Sequence, residues 1–441
     1  KIKNVKAGFF SEHEFSYVSE NFLETRGDKQ ARQDDLLISM SGNRHDGSPE
    51  TWVGKVARFN KKSAYLVNQR VGMLRVKEPL EADPVYSGYV LSSWFYQQLF
   101  ISIATSSGGQ ANLSPQQILG APFELPPLLI QKRIAHILGT LDEKIELNRR
   151  MNETLEGMAR ALFKSWFIDF DPVIDNALRA GNPIPEEFEE RAARRRALLD
   201  LNQAMEPSPP TPLPGGEEST GMETFPNLGK LFPDSFRDSE LGPIPAGWEI
   251  RSLDKVADFL NGLALQKYPP GNGPTLPVIK IAQLRKGDTI GADRCNTDLP
   301  SNYVVQNGDV LFSWSGSLEV EIWCGGSGAL NQHLFKVSSP EFPKWFYYIW
   351  TLHHLDDFRL IAADKATTMG HIQRGHLTAA KALIPPHLLL DTMTRIISPL
   401  IDQLIANSIQ SRTIATLRDT LLPKLLSGEL NVAEIEKEIY T

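Results

Sequence analysis

Cysteine is nearly missing: 441 residues hold two, Cys295 and Cys324. That is too few for a disulfide framework or a four-ligand zinc site. A reducing, cytoplasmic setting is the expectation. Long apolar runs are missing as well. No stretch approaches the roughly 20 consecutive apolar residues that span a bilayer, and no secretory leader or lipidation motif is visible. A basic excess is missing: 46 Lys+Arg against 53 Asp+Glu give a net charge of −7. Taken alone this argues against a nucleic-acid partner, but the charge is uneven along the chain. The common catalytic signatures are missing too. There is no G-x-x-x-x-G-K-[ST] phosphate loop and no Gly-rich cofactor fingerprint after a strand. The glycines of "SGG" (107–109) and "GGSG" (325–328) read as loop residues. Amino-methyltransferases carry an Asn-Pro-Pro-aromatic or Asp-Pro-Pro-Tyr stretch, and "NPIP" (182–185) lacks the aromatic. Nothing resembles a nuclease Asp…Glu-x-Lys cluster. No catalytic or metal residue is assigned to the chain.

What is present is written twice. "DDLLISMSG" (34–42) and "GDVLFSWSG" (308–316) each give an acid, an apolar run, then Ser-x-Ser-Gly, at an offset of 274. "KIKNVKAG" (1–8) matches "KIAQLRKG" (280–287) at 279. "VNQRVGMLRV" (67–76) matches "LNQHLFKV" (330–337) at 263, and "LPP" (125–127) matches "IPP" (384–386) at 259. The offset falls stepwise, so the first copy carries longer loops. The largest difference lies between Gly42 and Asn68, with 25 residues against 14 between Gly316 and Asn331. Insertions of that kind belong on the surface. The opening of the second copy, "LGPIPAGWEIRSLDKVADFLNG" (241–262), has no counterpart before Lys1. The first copy is therefore expected to lack about 35 residues at its start.

From the Pro-Pro pair the offset stays at 259 for about 40 residues. Ile134 matches Met393, Leu138 matches Ile397 and Leu141 matches Leu400. Ile145 matches Leu404, Leu155 matches Ile414, Met158 matches Leu417 and Leu162 matches Leu421. These steps of three and four are helical. Asn148 and Asn407 also match on the apolar seam, where a buried Asn fixes pairing register. A core helix in each of two separate domains is one reading. Two long helices pairing along Leu141, Ile145, Asn148, Leu155 and Leu162 and along Leu400, Leu404, Asn407, Ile414 and Leu421 is the reading the seam favours. At about 1.5 Å per residue, 38 residues would span roughly 57 Å. Pro399 predicts a kink early in the second helix.

The expected layout is a mixed α/β block (1–127), a long helix (128–168) and a connecting segment (169–247) with a flexible Pro/Gly-rich linker near 205–230. A second block (248–386), a second long helix (387–426) and a tail (427–441) follow. The fold class is α+β, with a pseudo-two-fold internal repeat. The blocks are nearly neutral: residues 1–128 hold 14 Lys+Arg against 13 Asp+Glu, and 248–384 hold 13 against 13. The acid excess lies between and after them, with 14 against 20 in 129–247 and 5 against 7 in 385–441. Asp169 and Asp171, next to Pro172, read as a cap or turn rather than a catalytic pair. In "EEFEERAARRRALLD" (186–200), Arg194, Arg195 and Arg196 read as a solvated face. His353 and His354 are adjacent and cannot share a helical face as a metal pair.

Polar residues of base-reading type cluster at repeated places. The first copy offers Ser41, Asn43, Arg44 and His45, then Asn68, Gln69 and Arg70, then Ser107, Gln110 and Asn112. The second offers Ser315 and Ser317, then Asn331, Gln332 and His333, then Lys365, Thr367, Thr368, His371, Gln373 and Arg374. Arg and Lys suit guanine, Asn and Gln suit adenine, and Ser and Thr suit phosphate or either base edge. The Asn-Gln pair, common to both copies, equally suits a structural role around the loop.

The whole chain resembles the specificity subunit of type I restriction-modification enzymes. The residues that carry the resemblance are "LGPIPAGWEIRSLDKVA" (241–257), "LPPLLIQKRIAHILGTLDEKIELNRR" (125–150), "ALFKSWFIDFDPV" (161–173) and "LRDTLLPKLLSGEL" (417–430). The resemblance implies two target-recognition domains, each binding one half of a bipartite DNA site, and an antiparallel coiled coil as spacer. It implies no cofactor in this chain, with S-adenosylmethionine, ATP and Mg on partner subunits. The implied partners are double-stranded DNA, two methyltransferase subunits and two motor-nuclease subunits. This sequence departs from the pattern at Ile130-Gln131, where a Glu-Gln pair is usual, and in its Pro-rich insertion at 206–220. The alternative is a protein-binding assembly scaffold without DNA specificity.

Overall fold

The repeated phrase folds as a strand buried on both faces, once in each of two units. The computed structural model describes the chain outside residues 13–14, 47–48, 63, 79, 108, 206–227, 365–369 and 433–441. Its contacts divide it into Lys1–Glu146 with Thr413–Thr441, and Leu147–Arg412. The Pro-rich stretch 206–220 lies outside the described residues.

In the first unit the strands are β1 (Gln30–Ala31), β2 (Leu36–Ser39), β3 (Ser41–Gly42), β4 (Val56–Arg58), β5 (Tyr65–Leu66), β6 (Val71–Leu74), β7 (Thr105–Ser107) and β8 (Gln110–Asn112). Its helices are α1 (Asn21–Thr25), α2 (Pro84–Ser92), α3 (Trp94–Ile103), α4 (Pro115–Leu119) and the first part of α5 (Leu128–Phe163). The sheets are ordered β4-β2-β6, β3-β8-β7 and β1-β5. Leu36, Ile38, Trp52, Val56 and Phe100 share a core with Ile134 and Leu138 of α5.

The second unit begins with the rest of α5 and a π-helical turn, Lys164–Ile168. There follow α6 (Asp171–Ala180), α7 (Glu189–Met205), β9 (Phe236–Arg237), β10 (Ile244–Pro245), β11 (Glu249–Ser252), α8 (Leu253–Val256), β12 (Asp258–Asn261) and β13 (Thr275–Ile279). Then come α9 (Ile281–Lys286), β14 (Arg294–Asn296), β15 (Val304–Val305), β16 (Val310–Ser313), β17 (Val320–Ile322), β18 (Gly328–Leu330) and β19 (Leu334–Ser338). The unit closes with α10 (Lys344–His353), α11 (Leu355–Asp364), α12 (Arg374–Ala379), β20 (Lys381–Ile384) and α13 (His387–Leu426), whose last part belongs to the first unit. Its sheets are ordered β12-β19-β16-β17, β14-β13-β18-β15, β11-β20 and β10-β9.

The repeat holds register for register. Leu36 faces Leu74 and Arg58, while Val310 faces Val337 and Ile322. Ala31 faces Tyr65, and Val305 faces Gly328. All four residues of β2 and all four of β16 are buried, which explains a continuous apolar run instead of alternation. The acid ahead of each strand closes a turn. Asp35 Oδ2 accepts from the Arg32 N–H at 2.7 Å, and Asp309 Oδ2 from the Gln306 N–H at 2.8 Å. The residue before it takes a left-handed φ, +69° at Asp34 and +88° at Gly308, and only the glycine does so without strain. The serine ending each strand is also satisfied. Ser39 Oγ accepts from the Lys55 N–H at 2.9 Å, and Ser313 Oγ from the Glu319 N–H at 2.8 Å.

The extra length of the first copy lies between β3 and β4, residues 43–55, where the second copy has 317–319. In the second unit β11 pairs antiparallel with β20, Glu249 facing Ile384 and Ser252 facing Lys381. Helix α13 runs unbroken through Pro399. One reading of the sequence is corrected. Arg195 does not lie on a solvated face: its guanidinium is held by Asp175, with its Nε 2.7 Å from Oδ1. Asp171 accepts from Arg191 Nε at 2.7 Å and from Ser165 Oγ at 2.8 Å. Burial works against its charge, but Arg191 and Ser165 outweigh it and hold the carboxyl below the usual range. Asp169 and Asp171 thus fasten α6 to α7.

Candidate functional site

Each unit carries the same small backbone frame after its repeated strand. In the first, the Met40 N–H donates to Arg70 O and Met40 O accepts from the Leu113 N–H, both at 2.9 Å. In the second, the Trp314 N–H donates to His333 O at 3.4 Å and Trp314 O accepts from the Ile372 N–H at 3.0 Å. Ser41 pairs with Asn112, and Ser315 pairs with His371. Every one of these positions corresponds at the offsets read from the sequence. The frame therefore brings residues 40, 41, 70 and 112 together in one unit and 314, 315, 333 and 371 in the other.

The repeated asparagine shapes the turn inside this frame. Asn68 Oδ1 accepts from the Arg70 N–H at 3.2 Å, and Asn331 Oδ1 from the His333 N–H at 3.3 Å. Its carbonyl then accepts from Val71 or Leu334, both at 2.9 Å. An Asn that closes its own backbone two residues on holds an Asx-turn. Gln69 and Arg70 are exposed at the first turn, while Gln332 and His333 are half-buried at the second.

The side chains around the two frames differ. In the first unit Ser41 Oγ donates to Asn112 Oδ1 at 2.8 Å. Asn43 Nδ2 donates to Thr51 Oγ1 at 3.0 Å. Arg44 donates through Nη2 to the Ala104 carbonyl, and its Nε is buried without a partner. His45 meets Gln98 Oε1 at 2.6 Å and stands edge-on to Trp52, ring centroids 5.1 Å apart. Gln110 is exposed on β8, and Ser107 faces it across the β7–β8 pair.

In the second unit an indole fills the frame. Trp314 Nε1 donates to Asn261 Oδ1 at 2.9 Å. Its ring lies 5.9 Å from His333 and 6.3 Å from His371. Ser315, buried, meets His333 Nδ1 at 3.0 Å. Arg374 donates to Phe259 O at 3.3 Å and sits 5.9 Å above the Phe335 ring. Ser317 and Gln373 are exposed. Lys365, Thr367 and Thr368 lie outside the described residues. Trp314 and Asn261 were passed over in the sequence. The signal was there, since Trp314 occupies the variable place inside the repeated phrase.

The long helices meet in a polar knot, all of it within the second unit. Asn148, fully buried, donates through Nδ2 to Gln410 Oε1 at 2.8 Å, Ser411 Oγ at 3.2 Å and Asn407 O at 3.3 Å. Asn152 donates to Ser408 Oγ at 2.9 Å and Leu404 O at 3.2 Å, and accepts from Asn407 Nδ2 at 3.0 Å. Rising numbers on one helix meet falling numbers on the other. Asn152 was missed from the sequence, although it stands one turn from Asn148. Of the expected seam, Asn148 and Asn407 are buried, while Leu141, Ile145, Leu155, Leu162, Leu400, Leu404, Ile414 and Leu421 are half-buried. In the first unit Asp142 of α5 accepts from Arg418 of α13 at 2.6 Å and from the Tyr89 hydroxyl at 2.5 Å. Burial and that carboxylate push the Tyr89 hydroxyl far above its usual range.

His353 and His354 pack as rings around Trp350, at 5.5 and 6.0 Å, and His354 Nε2 meets Lys381 O at 2.8 Å. Among the described residues no group of three or more His, Cys, Asp and Glu is placed to hold a metal ion. No described helix is long and apolar enough to cross a membrane.

Residues 1–157 match the family model described as "Type I restriction modification DNA specificity domain". The type I restriction enzyme HindI specificity subunit of Haemophilus influenzae is 24% identical over 350 residues, 76% of this chain and 74% of that protein. The type I restriction enzyme MjaIX specificity subunit of Methanocaldococcus jannaschii is 26% identical over 314 residues, 69% of this chain and 60% of that protein. A solved S subunit of a type I restriction-modification system from M. genitalium is 14% identical, with a TM-score of 0.45, covering 90% of this chain and 84% of that one.

Proposed function

We propose that the chain is a specificity subunit of a type I restriction-modification enzyme, like the relatives it matches, and that it reads one DNA target in two halves. Such a subunit is non-catalytic and recognises DNA on behalf of the complex. Each repeated unit is a target-recognition domain, and α5 and α13 pair as an antiparallel coiled coil that sets the gap between half-sites. The paired helices dock two methyltransferase subunits, and two motor-nuclease subunits join them in the cytoplasm. S-adenosylmethionine, ATP and Mg belong to those partners.

One observation carries this reading: the two units share a backbone frame, register for register, and differ in the side chains it presents. A duplicated frame with divergent contents suits an asymmetric, two-part sequence. Phosphate contacts would orient each frame, and its side chains would specify bases.

Methylation mapping tests it. The chain would be co-expressed with its cognate methyltransferase subunit in a methylation-free host, and modified bases sequenced genome-wide. Two short half-sites around a fixed gap are expected. Soluble complex with no modified motif would refute it. Four residues inserted into both α5 and α13 add about 6 Å, or about two base-pair steps of 3.4 Å. The gap should lengthen while both half-sites stay the same.

A further inference from the structure

The second unit sets two cations on one acidic residue beside its Ser-Gly turn: Arg285 Nε on α9 lies 3.5 Å from Glu319 Oε1, and Arg359 Nη2 on α11 lies 3.2 Å from Glu319 Oε2. Arg359 is fixed further, since its Nε and Nη2 donate to Leu318 O at 3.1 and 3.0 Å. Its Nη1 reaches Asp356 at 3.0 Å, but that carboxylate is 88% exposed and counts for little in water. Among the described residues Arg285 has one ion pair, to Glu319, through its Nε. These side chains line a cleft of about 400 Å³ with Gly316, Ser317 and Gly370. Arg359 is thus held by Leu318, Glu319 and Asp356, and Arg285 is the less committed guanidinium at the cleft.

The first unit repeats only part of this arrangement. Lys6, which corresponds to Arg285 in the opening match, lies 3.8 Å from Glu50 Oε2. Lys55 donates to the carbonyl of the same Glu50. The match stops there: Lys55 is buried, and its N–H stands on Ser39 Oγ where that of Glu319 stands on Ser313 Oγ, so its counterpart is the acid and not a second cation.

We propose that the cleft between Arg285 and Arg359 takes a backbone phosphate of duplex DNA. The inference rests on the DNA-reading function above. A guanidinium fork matches phosphate oxygens bidentately. Gly316, at φ +68°, keeps the backbone bare at the rim, and the Ser317 hydroxyl supplies a further donor. The same loop carries Ser315 and Trp314, so a phosphate held here would fix the register in which the neighbouring frame meets base edges. It also explains how a block with 13 basic and 13 acidic residues attracts a polyanion, through a local site instead of net charge.

The test uses the full chain in complex with its cognate methyltransferase subunits and a duplex bearing the mapped target. Affinity is measured from about 50 to 200 mM salt for the wild type, Arg285→Gln and Glu319→Gln. Arg285→Gln should reduce the slope of log K against log salt by about 0.9, and weaken binding about eightfold near 0.1 M salt, equally for matched and mismatched half-sites. Glu319→Gln removes the internal counter-charge and should tighten binding. A neutral methylphosphonate at the contacted phosphate should reproduce the Arg285→Gln loss and add nothing to it. An unchanged slope in Arg285→Gln, with Glu319→Gln no tighter, would overturn the phosphate site and leave the DNA-reading function standing. A loss confined to one base position would also overturn it, by making Arg285 a base contact. A wild-type complex that bound no duplex would overturn the function itself.

Discussion

At one register position the first unit buries Ile38 and the second buries Phe312, both at 0% exposure. At another the first unit has Met40 and the second Trp314, inside identical backbone bonds. The strand position must be apolar in both copies, and only its size varies. The frame position is free to change chemistry, because its backbone bonds are satisfied by Arg70 and Leu113, or by His333 and Ile372, whatever the side chain. Packing constrains the first kind of site, and only what is contacted constrains the second.

Core truncation should break this comparison hardest. Phe312→Ala should cost about 3–5 kcal/mol, and Ile38→Ala about 2–5 kcal/mol. Denaturant unfolding followed by hydrogen exchange in each unit should show each loss confined to its own unit. The paired acids come next. Asp35 is buried and its carboxylate takes a two-pronged bond from Arg75, at 2.7 and 2.6 Å. Asp309 is a quarter exposed and is met by Lys336 at 2.7 Å. Asp35→Ala should therefore cost about 3 kcal/mol or more, and Asp309→Ala about 1 kcal/mol. Equal losses would mean that the shared turn matters more than the ion pair.

Asn148→Leu should destabilise by about 1–3 kcal/mol, because Gln410 and Ser411 lose a buried partner. Removing Asn148, Asn152 and Asn407 together should cost less than the sum and loosen the register of the helices. A thermal-unfolding cycle reads the first effect, and the recognised gap the second. Trp314→Met, which gives the second frame the content of the first, should leave stability nearly intact. It should alter one half-site by about 1–3 kcal/mol of discrimination, visible as a changed methylation motif.

The smallest expected effect is on pH. Burial, with Lys6 adding to it, lowers the Lys55 ammonium from 10.5 to about 8. Between about pH 8 and 10.5 the unfolded chain holds this proton and the folded chain does not. The first unit should therefore gain stability as pH rises through that window, and Lys55→Gln should flatten the gain in a denaturation series.

Much of this was legible in the sequence because a repeat supplies its own alignment. Falling offsets located β2 with β16, β6 with β19, and the longer loop between Gly42 and Asn68. The 3-4 spacing placed both long helices. What stayed hidden was decided by partners distant in sequence. Arg195 looked solvated because nothing local announces Asp175 across the α6–α7 hairpin. Trp314 was passed over because its indole N–H finds its partner, Asn261, 53 residues away. Arg285 and Arg359 drew no notice, since neither sits in a charge run and only the fold sets both against Glu319.

The β11–β20 ladder gives the second repeat a neck. Everything from Leu253 to Ala380 enters and leaves between two strands about 4.8 Å apart. The repeat is thus a cassette: its contents can be rebuilt without moving the points where it joins the rest of the chain. The same ladder has a mechanical direction. A pull that draws Glu249 away from Ile384 loads its hydrogen bonds one after another, as a zip opens.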